Sequence, residues 1–203
     1  MRLLGRAHGF AVDATDDPSV FTDARLAGYK AVVFLLTTGD VLNDTQQASF
    51  ERYIARGGGF VGVHSASDTE YGWAWYGRLV GAFFLKHPSI QRATVVVRDN
   101  ALAATVRLPS PWIRSDEWYN FRTNPTGRVH VLLTVDESTY RGGSMGVDHP
   151  IAWCHDFDGG RAWYTAMGHS SSSYAEPLFL AHLLRGLLYA SKLDAAACSV
   201  AGA

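Results

Sequence analysis

Two short apolar runs joined by one capped helix constrain the fold of this chain more than any other feature. Residues 31–37 read Ala-Val-Val-Phe-Leu-Leu-Thr, and residues 60–63 read Phe-Val-Gly-Val. Short runs rich in β-branched residues are typical of strands buried on both faces of a parallel sheet. Between them, Asn43 or Asp44 can cap a helix that runs to about Arg56 and ends at three glycines. This order predicts a right-handed βαβ unit and an α/β fold with a mostly parallel sheet.

The remainder of the chain predicts further strands, a β-hairpin near the C-terminus and a final helix. The turn Asp158-Gly159-Gly160 lies between two aromatic or β-branched runs, which is a hairpin pattern. Pro177 suits the first turn of a helix, where its missing N–H costs nothing. Since no linker or repeat interrupts the chain, we expect one domain over residues 1–190 and a frayed Ala-rich tail over 191–203. The predicted elements are strands at 93–98, 129–135, 151–155 and 161–165, and helices at 73–80 and 176–190.

The composition excludes several classes of protein. Lys and Arg number 18 against 19 Asp and Glu, and this net charge of -1 gives no support for a nucleic-acid partner. No apolar run approaches the ~20 residues that a membrane span needs, so no membrane partner is expected. The two cysteines, Cys154 and Cys198, are too few for a disulfide scaffold or a four-cysteine zinc site, and Cys154 is expected to be a buried thiol. We expect a cytoplasmic protein.

Polar side chains follow the predicted parallel strands, at the end of the sheet where α/β proteins bind ligands. His64 comes directly after the second strand and four residues before Asp68, and His169 follows the last strand. Thr38 lies in the turn after the first strand. A histidine at such a position can act as a general acid or base, because its pKa lies near neutrality. Each of these residues could instead shape a turn or cap a helix.

A second candidate region interleaves carboxylates with aromatic rings. Residues 115–121 read Ser-Asp-Glu-Trp-Tyr-Asn-Phe. Aromatic rings stack on the C–H groups of sugars while polar groups bind the hydroxyls, so Glu117, Trp118 and Tyr119 suit a carbohydrate. An amphipathic edge strand with ordinary packing is an equal alternative. Two further candidates for substrate binding are His149 and Trp153.

No cofactor is predicted from the motifs, and a divalent metal is the one alternative that the residues offer. Such a site needs about three ligands of the His, Asp or Glu type. The chain has enough of them, but no pair has HExxH-type spacing. The weak metal candidates are His64, His87, His149 and His169. Nucleophilic catalysis has less support, because the chain has no Gly-x-Ser-x-Gly elbow.

Four motifs in this order resemble the ThuA-like (trehalose utilisation) family over about residues 10–190. They are Gly-Gly-Gly-Phe-Val-Gly-Val-His-Ser-Ala at 57–66, Asp-Glu-Trp-Tyr at 116–119, Asp-His-Pro-Ile-Ala-Trp at 148–153 and Gly-His at 168–169. The resemblance implies a class I glutamine amidotransferase-like fold, which is a flavodoxin-like, doubly wound sheet. His64 occupies the place of that superfamily's cysteine, so amidotransferase chemistry is not expected. The family's usual first strand is missing ahead of residues 2–10, and a homodimer is one way to cover the edge this leaves.

The resemblance implies an enzyme for a small-molecule carbohydrate, a 3-keto disaccharide or glycoside that it cleaves or isomerises. We expect His64 or His169 to be the base or acid and Asp68 and Glu117 to orient them. The functional partner would be a sugar oxidoreductase that makes the 3-keto group. Two alternatives stay open at this point: a non-catalytic carbohydrate-binding protein and a metal-dependent sugar hydrolase or isomerase.

Overall fold

The computed structural model of the chain describes residues 1–99, 105, 108–193 and 198. Most of the tail that was expected to fray, residues 194–197 and 199–203, lies outside these ranges. The helices are α1 (Arg2–His8), α2 (Asp23–Leu26), α3 (Asp44–Ala55), α4 (Ala74–Val80) and α5 (Pro177–Ala190). The strands are β1 (Ala31–Leu35), β2 (Gly59–Val63), β3 (Phe84–Lys86), β4 (Gln91–Val97), β5 (Trp112–Asp116), β6 (Asn120–Phe121), β7 (His130–Asp136), β8 (Pro150–Phe157) and β9 (Gly160–Thr165).

Seven strands form one curled sheet in the order β1-β2-β9-β8-β7-β4-β5, and β3 pairs separately with β6. β1, β2 and β9 pair in parallel, whereas the other neighbours pair antiparallel. By direction, β1, β2, β9, β7 and β5 run one way, while β8 and β4 run the other. The sheet is therefore mostly parallel in strand direction, as predicted, but mixed in its pairing.

β1 is less buried than its apolar sequence predicts. Within the described residues β1 pairs only with β2 and lies at the edge of the sheet, where Phe34 alone of its five residues is buried. β2 pairs with both β1 and β9 and is buried along its whole length. The expectation of buried strands is thus confirmed for β2 and wrong for β1. β1 lies at the edge of the sheet, whereas β2 lies inside it.

The helix between these strands begins where its sequence predicts. Asn43 accepts a hydrogen bond from the Gln46 backbone at 3.1 Å, and the Gln46 side chain accepts one from the Asn43 backbone at 2.8 Å. This reciprocal capping box satisfies two backbone N–H groups that would otherwise lack partners. Phe50 and Ile54, four residues apart, are fully buried and fix the helix to the sheet.

The two cysteines form a disulfide that the sequence analysis did not anticipate. Cys154 is fully buried in β8, as expected, but its sulfur is bonded to that of Cys198 across 44 residues of sequence. Cys198 is itself buried. The bridge therefore holds Cys198 against the central strands.

Among the helices of the described ranges, none combines the length and apolar character needed to cross a bilayer.

Candidate functional site

The register between β2 and β9 places His64. Val63 is opposite Thr165, so the next residues, His64 and Ala166, lie side by side. His64 has a φ of 53°, which is uncommon for a residue with a side chain, and it begins a 3-10 helix that runs from His64 to Asp68. Its Nδ1 atom lies 2.7 Å from the Ala166 carbonyl oxygen. Because a carbonyl oxygen only accepts, Nδ1 carries the proton, and Nε2 of the neutral ring keeps a lone pair.

Three of the four residues predicted to be catalytic meet around that Nε2 atom. It lies 3.1 Å from Nδ1 of His169 and 3.3 Å from Oε2 of Glu117. The same Glu117 oxygen lies 3.3 Å from Nδ1 of His169. We call His64, Glu117 and His169 the His-Glu-His cluster. His64 is 2% exposed and Glu117 8% exposed, whereas the side chain of His169 is 40% exposed, so solvent reaches the cluster from the His169 side.

The fully buried Asp116 holds two parts of the cluster together. Its carboxylate accepts hydrogen bonds from the backbone N–H groups of Gly168 at 2.9 Å, His169 at 3.1 Å and Glu117 at 3.0 Å. Arg114 donates to the same carboxylate at 3.0 Å. Asp116 ends β5, four strands away from β9 in the sheet order, so these bonds span the curl of the sheet. Our sequence analysis missed this residue, although its place beside Glu117 at a strand end was a usable signal.

Burial keeps the His64 ring neutral. Desolvation is the largest effect on its pKa and lowers it, while the Ala166 carbonyl and the nearby Asp116 and Glu117 carboxylates act in the opposite direction. The ring is therefore a free base at neutral pH. This leaves Nε2 available to accept a proton or another cation.

Tyr119 and His87 complete the surroundings of the cluster. The Tyr119 ring lies 4.2 Å from the His64 ring and 4.3 Å from the Phe84 ring, measured between centroids. Burial, followed by the Glu117 charge, raises the pKa of Tyr119, so its hydroxyl keeps its proton at neutral pH. His87 Nδ1 lies 3.2 Å from Glu117 Oε1, the oxygen that faces away from the two histidines. His87 was a predicted metal candidate, and the structure places it beside the cluster.

Asp68 was expected to orient His64, but the structure does not place it there. In the described contacts, its carboxylate accepts hydrogen bonds from the hydroxyl groups of Thr38 and Tyr71, the latter at 2.6 Å. Its backbone carbonyl accepts from Gly39 at 2.9 Å. Asp68 and Thr38 therefore join the loops after β1 and β2, and the Ala166 carbonyl takes the orienting role.

His149 lies apart from the cluster and is fully buried. Its Nε2 is 2.8 Å from the Tyr119 carbonyl oxygen, and its Nδ1 is 2.8 Å from Oε1 of the partly buried Glu137. Burial is the main effect on the pKa of His149 and lowers it. With both nitrogens engaged, His149 supports the Tyr119 segment and offers no atom to a substrate or a metal.

Trp118 and Trp153 are core residues in this structure. Their indole N–H groups donate to the carbonyl oxygens of Gln91 at 2.8 Å and Val80 at 2.9 Å. The two side chains are 1% and 0% exposed. Neither presents a ring face to a sugar, so we leave both out of the proposed site.

Two open surface cavities lie away from the cluster. One, of about 380 Å³, is lined by residues near the β8–β9 turn, and the other, of about 510 Å³, lies beside β7. No member of the His-Glu-His cluster lines either of them. The convergence of ionisable groups, rather than the size of a cavity, therefore identifies the candidate site.

Comparison with known proteins agrees with this fold. A solved ThuA-like protein from Bacteroides uniformis superposes with a TM-score of 0.79 at 25% identity, covering 97% of this chain and 83% of that one. Another, from Parabacteroides merdae, gives 0.77 at 21% identity, with 95% and 83% covered. A cold-adapted β-galactosidase from Rahnella sp. R3 gives 0.60 at 18% identity over 94% of this chain and 26% of that one, which is a likeness of fold alone.

The family itself is identified from the sequence. No curated protein matches the chain. The family model named ThuA, with the description trehalose utilisation, matches residues 1–190, which is nearly the whole chain. The chain therefore belongs to the ThuA family of trehalose utilisation.

Proposed function

We propose that this protein is an enzyme that processes a carbohydrate by moving a proton from the carbon beside a carbonyl group. The substrate class is a 3-keto disaccharide or glycoside. The family's association with trehalose utilisation supports a sugar substrate. The observation that carries the proposal is the buried, neutral His64, whose Nε2 lies within 3.3 Å of both Glu117 and His169.

The reaction needs one proton acceptor and one proton donor. A ketone acidifies the neighbouring C–H bond, so a neutral histidine can remove that proton while the electron pair moves to the carbonyl oxygen as an enolate. In cleavage, the enolate re-forms the carbonyl as the glycosidic C–O bond breaks, and the departing oxygen takes a proton. The products are an unsaturated keto sugar and a free alcohol. In isomerisation, the glycosidic bond stays intact, and the proton returns to the opposite face of the same carbon or, through an enediol, to the former carbonyl carbon.

The geometry suggests a role for each member of the cluster. His64 would accept the proton, because its Nε2 lone pair is held in place by the bond from Nδ1 to Ala166. His169 would protonate the departing oxygen, because its side chain reaches solvent. Glu117 would orient both rings and stabilise positive charge on them. Since a 3-keto group arises by oxidation of a secondary alcohol, a sugar oxidoreductase would supply the substrate.

A role limited to carbohydrate binding has lost its main support. That alternative depended on aromatic side chains able to stack on a sugar, and Trp118 and Trp153 are buried. Tyr119 is only 5% exposed and packs on His64. The acid–base groups, by contrast, converge.

A proton NMR time course with 3-keto-trehalose tests the proposal. We expect the wild-type chain to form product, and His64→Ala and His169→Ala each to lose turnover while still binding the sugar. His169→Ala guards against a folding defect, because His169 is half-exposed whereas His64 is buried. His155→Gln, a change at a buried histidine outside the cluster, should keep turnover. Undiminished turnover in both alanine variants would refute the assignment.

A further inference from the structure

We propose that the His-Glu-His cluster binds one divalent metal ion of the zinc type through His64 Nε2, His169 Nδ1 and Glu117 Oε2. The three atoms lie 3.1, 3.3 and 3.3 Å from one another. Ligands placed ~2.0–2.1 Å from a tetrahedral zinc ion are separated from each other by about 3.3–3.4 Å. The triangle formed by the three side chains therefore has nearly the dimensions of one face of a zinc coordination shell.

The hydrogen-bonding capacity of the cluster also favours a cation. Neutral His64 donates its Nδ1–H to the Ala166 carbonyl oxygen. Its Nε2 and the Glu117 carboxylate then face each other as two hydrogen-bond acceptors with no proton between them. A single proton on His169 Nδ1 can be donated to only one of these two acceptors. One cation at the centre satisfies all three atoms at once.

The groups around the cluster are those that usually support metal ligands. A metal-bound histidine commonly gives its other N–H to a backbone carbonyl or a carboxylate, as His64 does to Ala166 at 2.7 Å. His87 approaches Oε1 of Glu117 at 3.2 Å and leaves Oε2 for the ion. Asp116 fixes the backbone at both Glu117 and His169. The ligands are thus held before any ion binds.

The coordination shell would have an open position. Two histidines and one carboxylate fill three places, and sites with three protein ligands leave the fourth for water or substrate. The half-exposed His169 lies on the side from which a ligand would enter. This inference deepens the proposed function, and its chemical consequence rests on it. With the ion bound, metal-bound hydroxide rather than His64 Nε2 would accept the substrate's proton, and the reaction class would be unchanged.

Binding is tested without any sugar. The wild-type protein is treated with a chelator, dialysed and titrated with Zn²⁺ by calorimetry, and the visible spectrum of the Co²⁺ form reports the coordination number. We expect one ion per chain. Glu117→Gln, which keeps the shape of the side chain, and His169→Ala should each weaken Zn²⁺ affinity by at least about 100-fold. His155→Gln, which alters a buried histidine outside the cluster, should bind as the wild type does. Near-UV circular dichroism confirms that each variant folds.

Three outcomes would overturn the inference. They are no stoichiometric binding by the wild type, equal binding by Glu117→Gln and His169→Ala, and Co²⁺ spectra of six-coordinate aqua type only. Turnover of 3-keto-trehalose by metal-free protein that binds no Zn²⁺ would refute the metal site and leave the proposed function intact. Tight, cluster-dependent Zn²⁺ binding without any turnover would refute the proposed function and leave the metal site intact.

Discussion

Glu117 contacts both histidines of the candidate site. Its Oε2 atom faces the two imidazole rings, while Oε1 faces His87. A carboxylate placed this way stabilises a positive charge that appears on either ring, or on an ion between them, during turnover. Its charge, rather than its size, is therefore the property that the proposed chemistry uses.

Glu117→Gln isolates that charge, because the amide has nearly the same volume as the carboxylate. We expect the rate of 3-keto-trehalose conversion, followed by NMR, to fall at least ~100-fold while the fold is kept. His155→Gln serves as the matched change at a buried polar residue outside the cluster. A rate within about tenfold of the wild type would show that the charge is dispensable.

His155 makes the stability of the protein depend on pH. Burial lowers its pKa to about 4 from the ordinary 6.5, and its hydrogen-bond contact is the Arg78 carbonyl. Since the folded pKa lies below the unfolded one, the stabilisation is complete above pH 6.5 and is lost as the pH falls towards 4. We expect His155 to account for a loss of roughly 2 kcal/mol between pH 7 and pH 5. Urea unfolding at both pH values measures the free energy of unfolding, and its decrease from pH 7 to pH 5 should be smaller by that amount in His155→Gln than in the wild type. Equal decreases in the two proteins would contradict the assignment.

At the scale of secondary-structure elements, the ends of strands assemble the site. His64 follows β2, the segment from Ala166 to His169 follows β9, and Glu117 follows β5. The parallel register of β2 and β9 aligns the first two, and Asp116 brings in the third. The position of a side chain in the site is thus decided by pairing between strands that are distant in sequence.

Local patterns were sufficient for some elements and insufficient for others. The capped helix α3, the buried strand β2 and the start of α5 at Pro177 follow from neighbouring residues, and each was predicted. The exposure of β1 depends on which strand lies beside it, and no short pattern contains that information.

Local patterns also named the residues that converge in the candidate site, but not all of the residues that hold them there. His64, Glu117 and His169 were named because they follow predicted strands or lie beside aromatic residues. Asp116 was missed because its three backbone partners include residues 168 and 169, which only the curl of the sheet brings near. Trp118 and Trp153 were taken for ligand-facing rings because an alternating sequence does not say which face of a strand is covered.

The capping box of α3 gives a prediction at the scale of one element. Asn43→Ala removes the side chain that accepts from the Gln46 backbone and should lower the free energy of unfolding by about 1 kcal/mol. Asn43→Asp retains an acceptor oxygen and should remain close to the wild type. Denaturant unfolding of the three proteins measures both differences. Equal losses in the alanine and aspartate variants would show that the cap hydrogen bond is not the cause.

At the scale of the whole molecule, the Cys154–Cys198 bridge ties the tail to β8. A cross-link over 44 residues restricts the unfolded chain and can contribute about 4 kcal/mol to stability. Cys198→Ser should therefore lower the free energy of unfolding by up to about 4 kcal/mol under oxidising conditions, with little change in turnover. With excess dithiothreitol the wild type should behave as the variant does. If the unfolding curves of the wild type and Cys198→Ser coincided without the reductant, the bridge would not contribute to stability.

The bridge also bears on where the protein is found. Disulfides persist in oxidising compartments and are rare in the cytosol, where a cytoplasmic protein was expected. Alkylation of free thiols in intact cells, followed by mass analysis of Cys154 and Cys198, would distinguish the two settings. Labelled cysteines would agree with the cytoplasmic expectation, and unlabelled ones would contradict it.

The curl that Asp116 spans has a consequence for how the protein responds to warming. Glu117 reaches the two histidines only while the β5 edge of the sheet stays bent towards the segment after β9. A displacement of about 1 Å, which is far smaller than unfolding requires, can reduce catalysis ~100-fold. On heating, we expect turnover to be lost at a temperature below the midpoint of unfolding and to return on cooling. The shape of the sheet, rather than its unfolding, would then set the upper working temperature.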